Sequence, residues 1–168
     1  VESSGSVYAF EPDPVARAAL ECNVCINSAQ NIRVVPWAVT AQSGSVNVVN
    51  NSLGDSTSQI KINGNGPEVT SITLDEFCHK EGFVPSVIKI DVEGGEAGVL
   101  AGGSYILQKA HTILLEFHEP EIRELGYDPK IPWEFLFNLG KRVVLLSPSS
   151  GLPAGTELKS NCVLPGNS

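Results

Sequence analysis

The chain contains no methionine. A natural chain starts with one, whereas "VESSGSVYAF" runs into strand-like sequence almost at once, so Val1 is expected to lie inside a larger domain, with any targeting signal upstream of it. There is no apolar run of the roughly 18 residues that a membrane span needs. There is no Gly-x-Gly-x-x-Gly, which argues against a nicotinamide dinucleotide enzyme built on such a turn, and there are no internal repeats. Basic residues are few and scattered: 11 Lys and Arg stand against 19 Asp and Glu, for a net charge of −8. With no basic patch, such a chain repels phosphate backbones, so no nucleic-acid partner is expected. Cys22 and Cys25 form a Cys-x-x-Cys inside a helical pattern, without the second pair that a zinc site of about four ligands requires. The four cysteines therefore read as buried, reduced thiols of a cytoplasmic protein.

What remains is the composition of a globular protein, with 42% hydrophobic and 18% charged residues over a length of 168, enough for a single domain over 1–168 with its own core. Helical and strand periods alternate along it. "SVYAF" (6–10) reads as a strand. Residues 13–27 read as a helix with Asp13 as N-cap, Pro14 in the first turn and an apolar stripe of Val15, Ala18, Ala19, Cys22 and Ile26. "IRVVPWAV" (32–39) is strand-like but interrupted by Pro36. "GSVNVVN" (44–50) alternates, and the polar stretch 51–68 reads as a hairpin or mobile loop, out of which an acceptor pocket would be built. "VTSIT" is a short strand, and Thr73 with Glu76 forms a capping box for the helix after it. Residues 86–92 read as a buried strand, 96–108 as a helix broken at Gly102-Gly103, 112–118 as a strand and 131–140 as a helix. Closing strands are expected at 142–147 and 158–165. This alternation predicts an α/β fold with a mostly parallel sheet and helices on both faces.

Three strands end in acids: "AFEPDP", "KIDVEGGE" and "LLEFHEPE". In parallel sheets, ligands sit outside the carboxyl ends of the strands, so Glu11, Asp91 and Glu116 at one such edge point to a site. A carboxylate at Glu11 is suited to accept hydrogen bonds from the two hydroxyls of a ribose. Glu96, Glu119 and Glu121 read more simply, as acids that favour the dipole of a helix first turn. Asp91 is the first candidate for a base or substrate anchor, and His118, at the same edge, is the second. His79 and His111 look peripheral. Asp91, Glu93 and Glu116 are oxygen donors of the kind Mg²⁺ or Ca²⁺ takes, but nothing has the spacing of a metal loop, so no metal ligand is assigned.

The segments "VYAFEPDPVARAALECNVCIN", "VVPWAVTAQSGSVNV", "ITLDEF", "IKIDVEGGEAGVLAGGSYIL" and "ILLEFHE" follow the order and spacing of the FkbM-type methyltransferases, which the chain resembles over nearly its whole length. The resemblance implies a Rossmann-like class I methyltransferase sheet and methyl transfer from S-adenosylmethionine to a hydroxyl of a sugar, polyketide or similar small molecule. It implies Glu11 as the ribose ligand, Asp91 and Glu93 beside the methyl donor and acceptor, and Ala38, in Trp37-Ala38-Val39, at the wall of the adenine. The family's first strand and glycine-rich turn are not in this chain. The first strand and its helix are therefore expected to be largely absent, which leaves the strands that carry Glu11 and Asp91 without a shared neighbour. The alternative is a truncated, non-catalytic module acting through partner binding.

Overall fold

The computed structural model describes residues 5–50, 58–61, 66–146 and 153–159. Strand β1 (Val7–Phe10) leads into α1 (Pro14–Ile26) and returns as β2 (Ile32–Val35), parallel to β1 with Val7 opposite Ile32. Asp13 caps α1 as the sequence predicts, accepting from the amides of Val15 and Ala16 at 2.7 and 3.0 Å. Pro36 then divides the expected strand in two, because proline has no N–H to give a ladder and fixes its own φ. The chain resumes as β3 (Ala38–Val39), which belongs to a different sheet.

That second sheet has the order β3-β6-β4-β5, where β4 is Gly44–Asn50, β5 Ser58–Lys61 and β6 Glu68–Ile72. β4 and β5 form the expected hairpin, whose tip, at 51–57, lies outside the described residues together with 62–65. α2 (Leu74–Glu81) starts at Thr73, whose hydroxyl accepts from the Glu76 amide at 3.1 Å. The return half of the capping box is relayed: the Thr73 amide donates to Ser43 Oγ, which in turn bonds the Glu76 carboxylate. β7 (Val87–Ile90), α3 (Glu96–Gly102), α4 (Ser104–Lys109) and β8 (Thr112–Leu115) follow. β7 and β8 pair in parallel, with Ile90 opposite Leu115. α5 (Glu119–Glu124), α6 (Lys130–Asn138) and the short antiparallel pair β9 (Val143–Val144) and β10 (Glu157–Leu158) complete the described chain. The rest of the predicted last strand, with Cys162, falls outside it.

The α/β expectation holds, but the pairing is mixed: among the described residues three ladders are parallel and three antiparallel, spread over four small sheets. Among the described residues, β1 is hydrogen-bonded to β2 alone and β7 to β8 alone. The core lies between these pairs and the helices. Phe77, 2% exposed, is ringed edge-on by Tyr8, Phe10, Trp37 and Phe83, and Ile88, Ile90, Leu100, Leu107 and Trp133 continue it.

Two expectations need correction. The predicted stripe of α1 faces outward, with Val15 and Ile26 about three-quarters exposed, and no residue of α1 is fully buried. The half-covered face is Ala16, Leu20 and Val24, a second row at helical spacing that the first row outweighed by hydrophobicity alone. Cys22 and Cys25 share the exposed side, and of the described cysteines only Cys78 is buried, where desolvation and then the charge of Asp75 push its thiol up to about 11. Gly102 does more than end α3. A Cβ there would stand 2.2 Å from the Thr40 carbonyl, so the helix approaches the exit of β3 closer than any side chain permits.

Candidate active site

The register of β7 and β8 builds the site. Both strands end at the same level, the Glu116 amide donates to the Ile90 carbonyl at 2.9 Å, and the next residues out are Asp91 on one strand and Glu116-Phe117-His118 on the other. After Asp91 the chain turns sharply through Val92-Glu93-Gly94-Gly95, with the Gly95 amide bonded to the Val92 carbonyl. Gly94 has φ 99°, and a Cβ there would meet the backbone of Glu121 at 2.9 Å, which seats the turn against α5. Glu93 also lies in the left-handed region, at φ 48°. A non-glycine residue there is strained by roughly 1–2 kcal/mol.

The turn delivers three carboxylates around one imidazole. His118 is only 17% exposed. Its Nδ1 lies 2.7 Å from Glu96 Oε1, and its Nε2 lies 3.8 Å from Asp91 Oδ1 and 3.7 Å from Glu93 Oε2. Glu96, the first residue of α3, is 0% exposed; the same Oε1 accepts from the Gly94 amide at 3.3 Å, and its Oε2 has no hydrogen-bond partner among the described residues. Asp91 Oδ2 holds the Lys89 ammonium at 2.5 Å, and Lys89 reaches on towards Glu116 at 3.9 Å.

These contacts tune the groups. Burial pulls the His118 pKa down, but the Glu96 hydrogen bond and the charges of Glu93, Glu96 and Asp91 outweigh it, so the imidazole ends above its ordinary 6.5. Burial raises the Glu93 carboxyl, with help from Asp91, Glu121 and Glu96 and against the pull of His118. The Lys89 hydrogen bond holds Asp91 below the usual carboxylate range. Asp91, Glu93 and His118 each offer one donor atom within 4.8 Å of the others, a spacing within reach of a cation. Lys89 already supplies positive charge there, and Glu116, an oxygen donor in the sequence reading, turns 59% of its side chain to solvent. No metal ligand is assigned.

Of the residues singled out from sequence, Asp91, Glu93 and His118 come together. Glu11 does not join them through any bond among the described residues. It is half-buried at the end of β1, where its Oε1 accepts from the Asp13 amide at 2.9 Å and its carbonyl accepts from Arg17, and burial raises its pKa. Ala38 is 1% exposed and paired with Ser71, so its methyl is already covered by protein. The more open neighbour is Trp37, packed edge-on against Phe77 beneath the ammonium of Lys80. An open depression of about 380 Å³ lined by Tyr105, Phe135 and Leu139 lies elsewhere and carries no carboxylate, imidazole or amine. The residue that sequence reasoning missed is Glu96. The first-turn reading of it is correct, but it omits the burial. The signal is spacing: Glu96, Val99, Leu100 and Gly103 form one helical row, so the carboxylate starts an otherwise apolar stripe.

The Methyltransferase FkbM domain matches residues 1–143, and the chain belongs to that family. The 2-O-methyltransferase NoeI of Sinorhizobium fredii is 28% identical to it, covering 79% of this chain and 60% of NoeI. The hexuronic acid methyltransferase AglP of Haloferax volcanii is also 28% identical, covering 76% of this chain and 51% of AglP. The chain thus spans little more than half the length of the curated relatives it matches. A crystal structure of Methyltransferase FkbM from Methylobacillus flagellatus superposes with a TM-score of 0.57 at 14% identity, covering 83% of this chain and 32% of that one; this likeness concerns the fold.

Proposed function

We propose that the protein is an S-adenosylmethionine-dependent O-methyltransferase acting on a hydroxyl of a sugar or similar small metabolite in the cytoplasm. The observation that carries this reading is the placement of His118 at the ends of two parallel strands, with a buried carboxylate behind it and two more carboxylates in front. The 2-O-methyltransferase activity of NoeI supports a hydroxyl acceptor, and the hexuronic acid substrate of AglP supports a sugar-type one.

The residues present suit the cofactor. S-adenosylmethionine brings a methyl group on a cationic sulfonium, and Asp91, Glu93 and Glu96 make this edge of the sheet negative. Glu11, whose Oε1 is fixed by the Asp13 amide, would accept from a ribose hydroxyl. His118 in its neutral form would take the proton of the acceptor hydroxyl, a contribution typically worth about 10²–10⁴-fold. Asp91, held ionised by Lys89, would orient that hydroxyl. In this reading β1 and β7 belong to one Rossmann-like sheet, which puts Glu11 and Asp91 on one rim.

Titration calorimetry on the full-length protein tests the proposal. S-adenosylmethionine is expected to bind with measurable heat, and Glu11→Ala to weaken binding at least tenfold without loss of fold. No heat with the wild type, or undiminished binding in Glu11→Ala, would overturn the reading and leave a non-catalytic module in its place.

A further inference from the structure

We infer that Glu96 is the positioning residue of His118: its buried carboxylate fixes the imidazole as the Nδ1–H tautomer and leaves the Nε2 lone pair facing the Asp91–Glu93 side. The inference rests on the methyl-transfer reading only for the use to which the pair is put. The pairing itself stands on three observations.

The first is the 2.7 Å separation of Nδ1 and Oε1, a charge-assisted distance. The second is that the same Oε1 accepts from the Gly94 amide, so it is an acceptor already, and the proton between it and the ring belongs on Nδ1. The third is the state of Glu96. It is 0% exposed, and Oε2 is buried without a partner among the described residues. A carboxylate so placed is among the most unfavourable groups a core can hold, and an apolar residue would continue the Val99–Leu100 row of α3. A gain in stability does not account for a glutamate there, whereas holding a histidine does. On the other side of the ring, Nε2 is beyond hydrogen-bond reach of Asp91 and Glu93. These two acids, with Glu121 near Glu93 and Lys89 and Glu116 near Asp91, are the charged groups about that face.

S-adenosylmethionine would supply the methyl group and leave as the neutral thioether, its sulfur keeping the electron pair, and Nε2 of His118 would take the proton that the acceptor hydroxyl gives up. Proton, methyl group and electrons are then all accounted for. The proton leaves Nε2 to water afterwards, and Nδ1–H stays bonded to Glu96 throughout.

The test is nitrogen-15 NMR of the imidazoles in the cofactor-free full-length protein, with His118 assigned through His118→Asn. The expected result is an Nδ1–H tautomer for neutral His118, lost or mixed in Glu96→Ala, and a titration midpoint that falls in Glu96→Gln. An Nε2–H tautomer in the wild type overturns the pairing, and so does an unmoved midpoint in a folded Glu96→Gln. Since the wild-type spectrum alone decides the tautomer, failure of a variant to fold does not rescue the inference. For turnover, Glu96→Gln is expected to lower the plateau of kcat/KM by at least about tenfold and move its rising limb to lower pH; an unchanged profile overturns the positioning role. Cofactor calorimetry on the same samples reports separately: absent binding overturns the methyl-transfer reading, whereas a wrong tautomer overturns Glu96 alone.

Discussion

Glu93 holds its carboxylate 3.7 Å from His118 by means of a backbone conformation that its side chain disfavours. Replacing it with glycine relieves about 1–2 kcal/mol of left-handed strain and adds back about 0.5–1 kcal/mol of chain entropy. Glu93→Gly is therefore expected to unfold in urea no more easily than the wild type while losing activity. A loss of more than about 1 kcal/mol would mean that the side chain is there for stability, since strained residues retained without a structural return mark functional sites. The strand-end positions of Asp91 and His118 are legible in the sequence, because Asp91 follows the apolar β7 directly and His118 comes shortly after β8. Glu96 was not read as a site residue, because an acid at a helix start has an ordinary explanation. Only the register of β7 against β8 and the turn at Glu93-Gly94 show that it sits behind the imidazole.

At the scale of elements, local signals were reliable where one residue type dictates the backbone. Asp13 caps α1, Thr73 caps α2, Pro36 divides β2 from β3, and Gly102-Gly103 divides α3 from α4. They failed where a long-range contact decides. α1 carries two rows at helical spacing, and the shorter one lies against the protein. The Asp13 cap can be weighed directly. Asp13 is 3% exposed, and its side chain accepts from two amides at the start of α1. Asp13→Ala is expected to cost about 1–2 kcal/mol in urea unfolding, and Asp13→Asn, which keeps an accepting oxygen, about half of that or less. Equal losses in the two variants would show that charge rather than capping is what matters, since the Asp13 charge also bears on Glu11.

Over the whole molecule the titrating groups lean one way. His118 has a folded pKa above its unfolded 6.5, so its contribution to stability is fully present below 6.5 and is lost as pH rises through the folded value. Glu93 and Glu11 are also raised, from 4.5, and for them too the native state binds protons more tightly, so stability falls as pH rises through their folded values. Asp91 is lowered from 3.8 and acts oppositely: its stabilisation is present above 3.8 and lost as pH falls through its folded value. The net charge of −8 adds self-repulsion in the alkaline direction. The urea midpoint is therefore expected to be higher near about pH 6 than near about pH 8. Salt separates the two causes, because repulsion spread over the surface is screened within roughly 10 Å at 0.1 M, while the contacts of a ring held 2.7 Å from a buried carboxylate are screened far less. A fall in stability that survives at high salt and disappears in His118→Asn assigns it to the imidazole. A midpoint that stays flat or rises from pH 6 to pH 8 would mean that His118 is not held as a cation by its three carboxylates, and the electrostatic account of the site would fail with it.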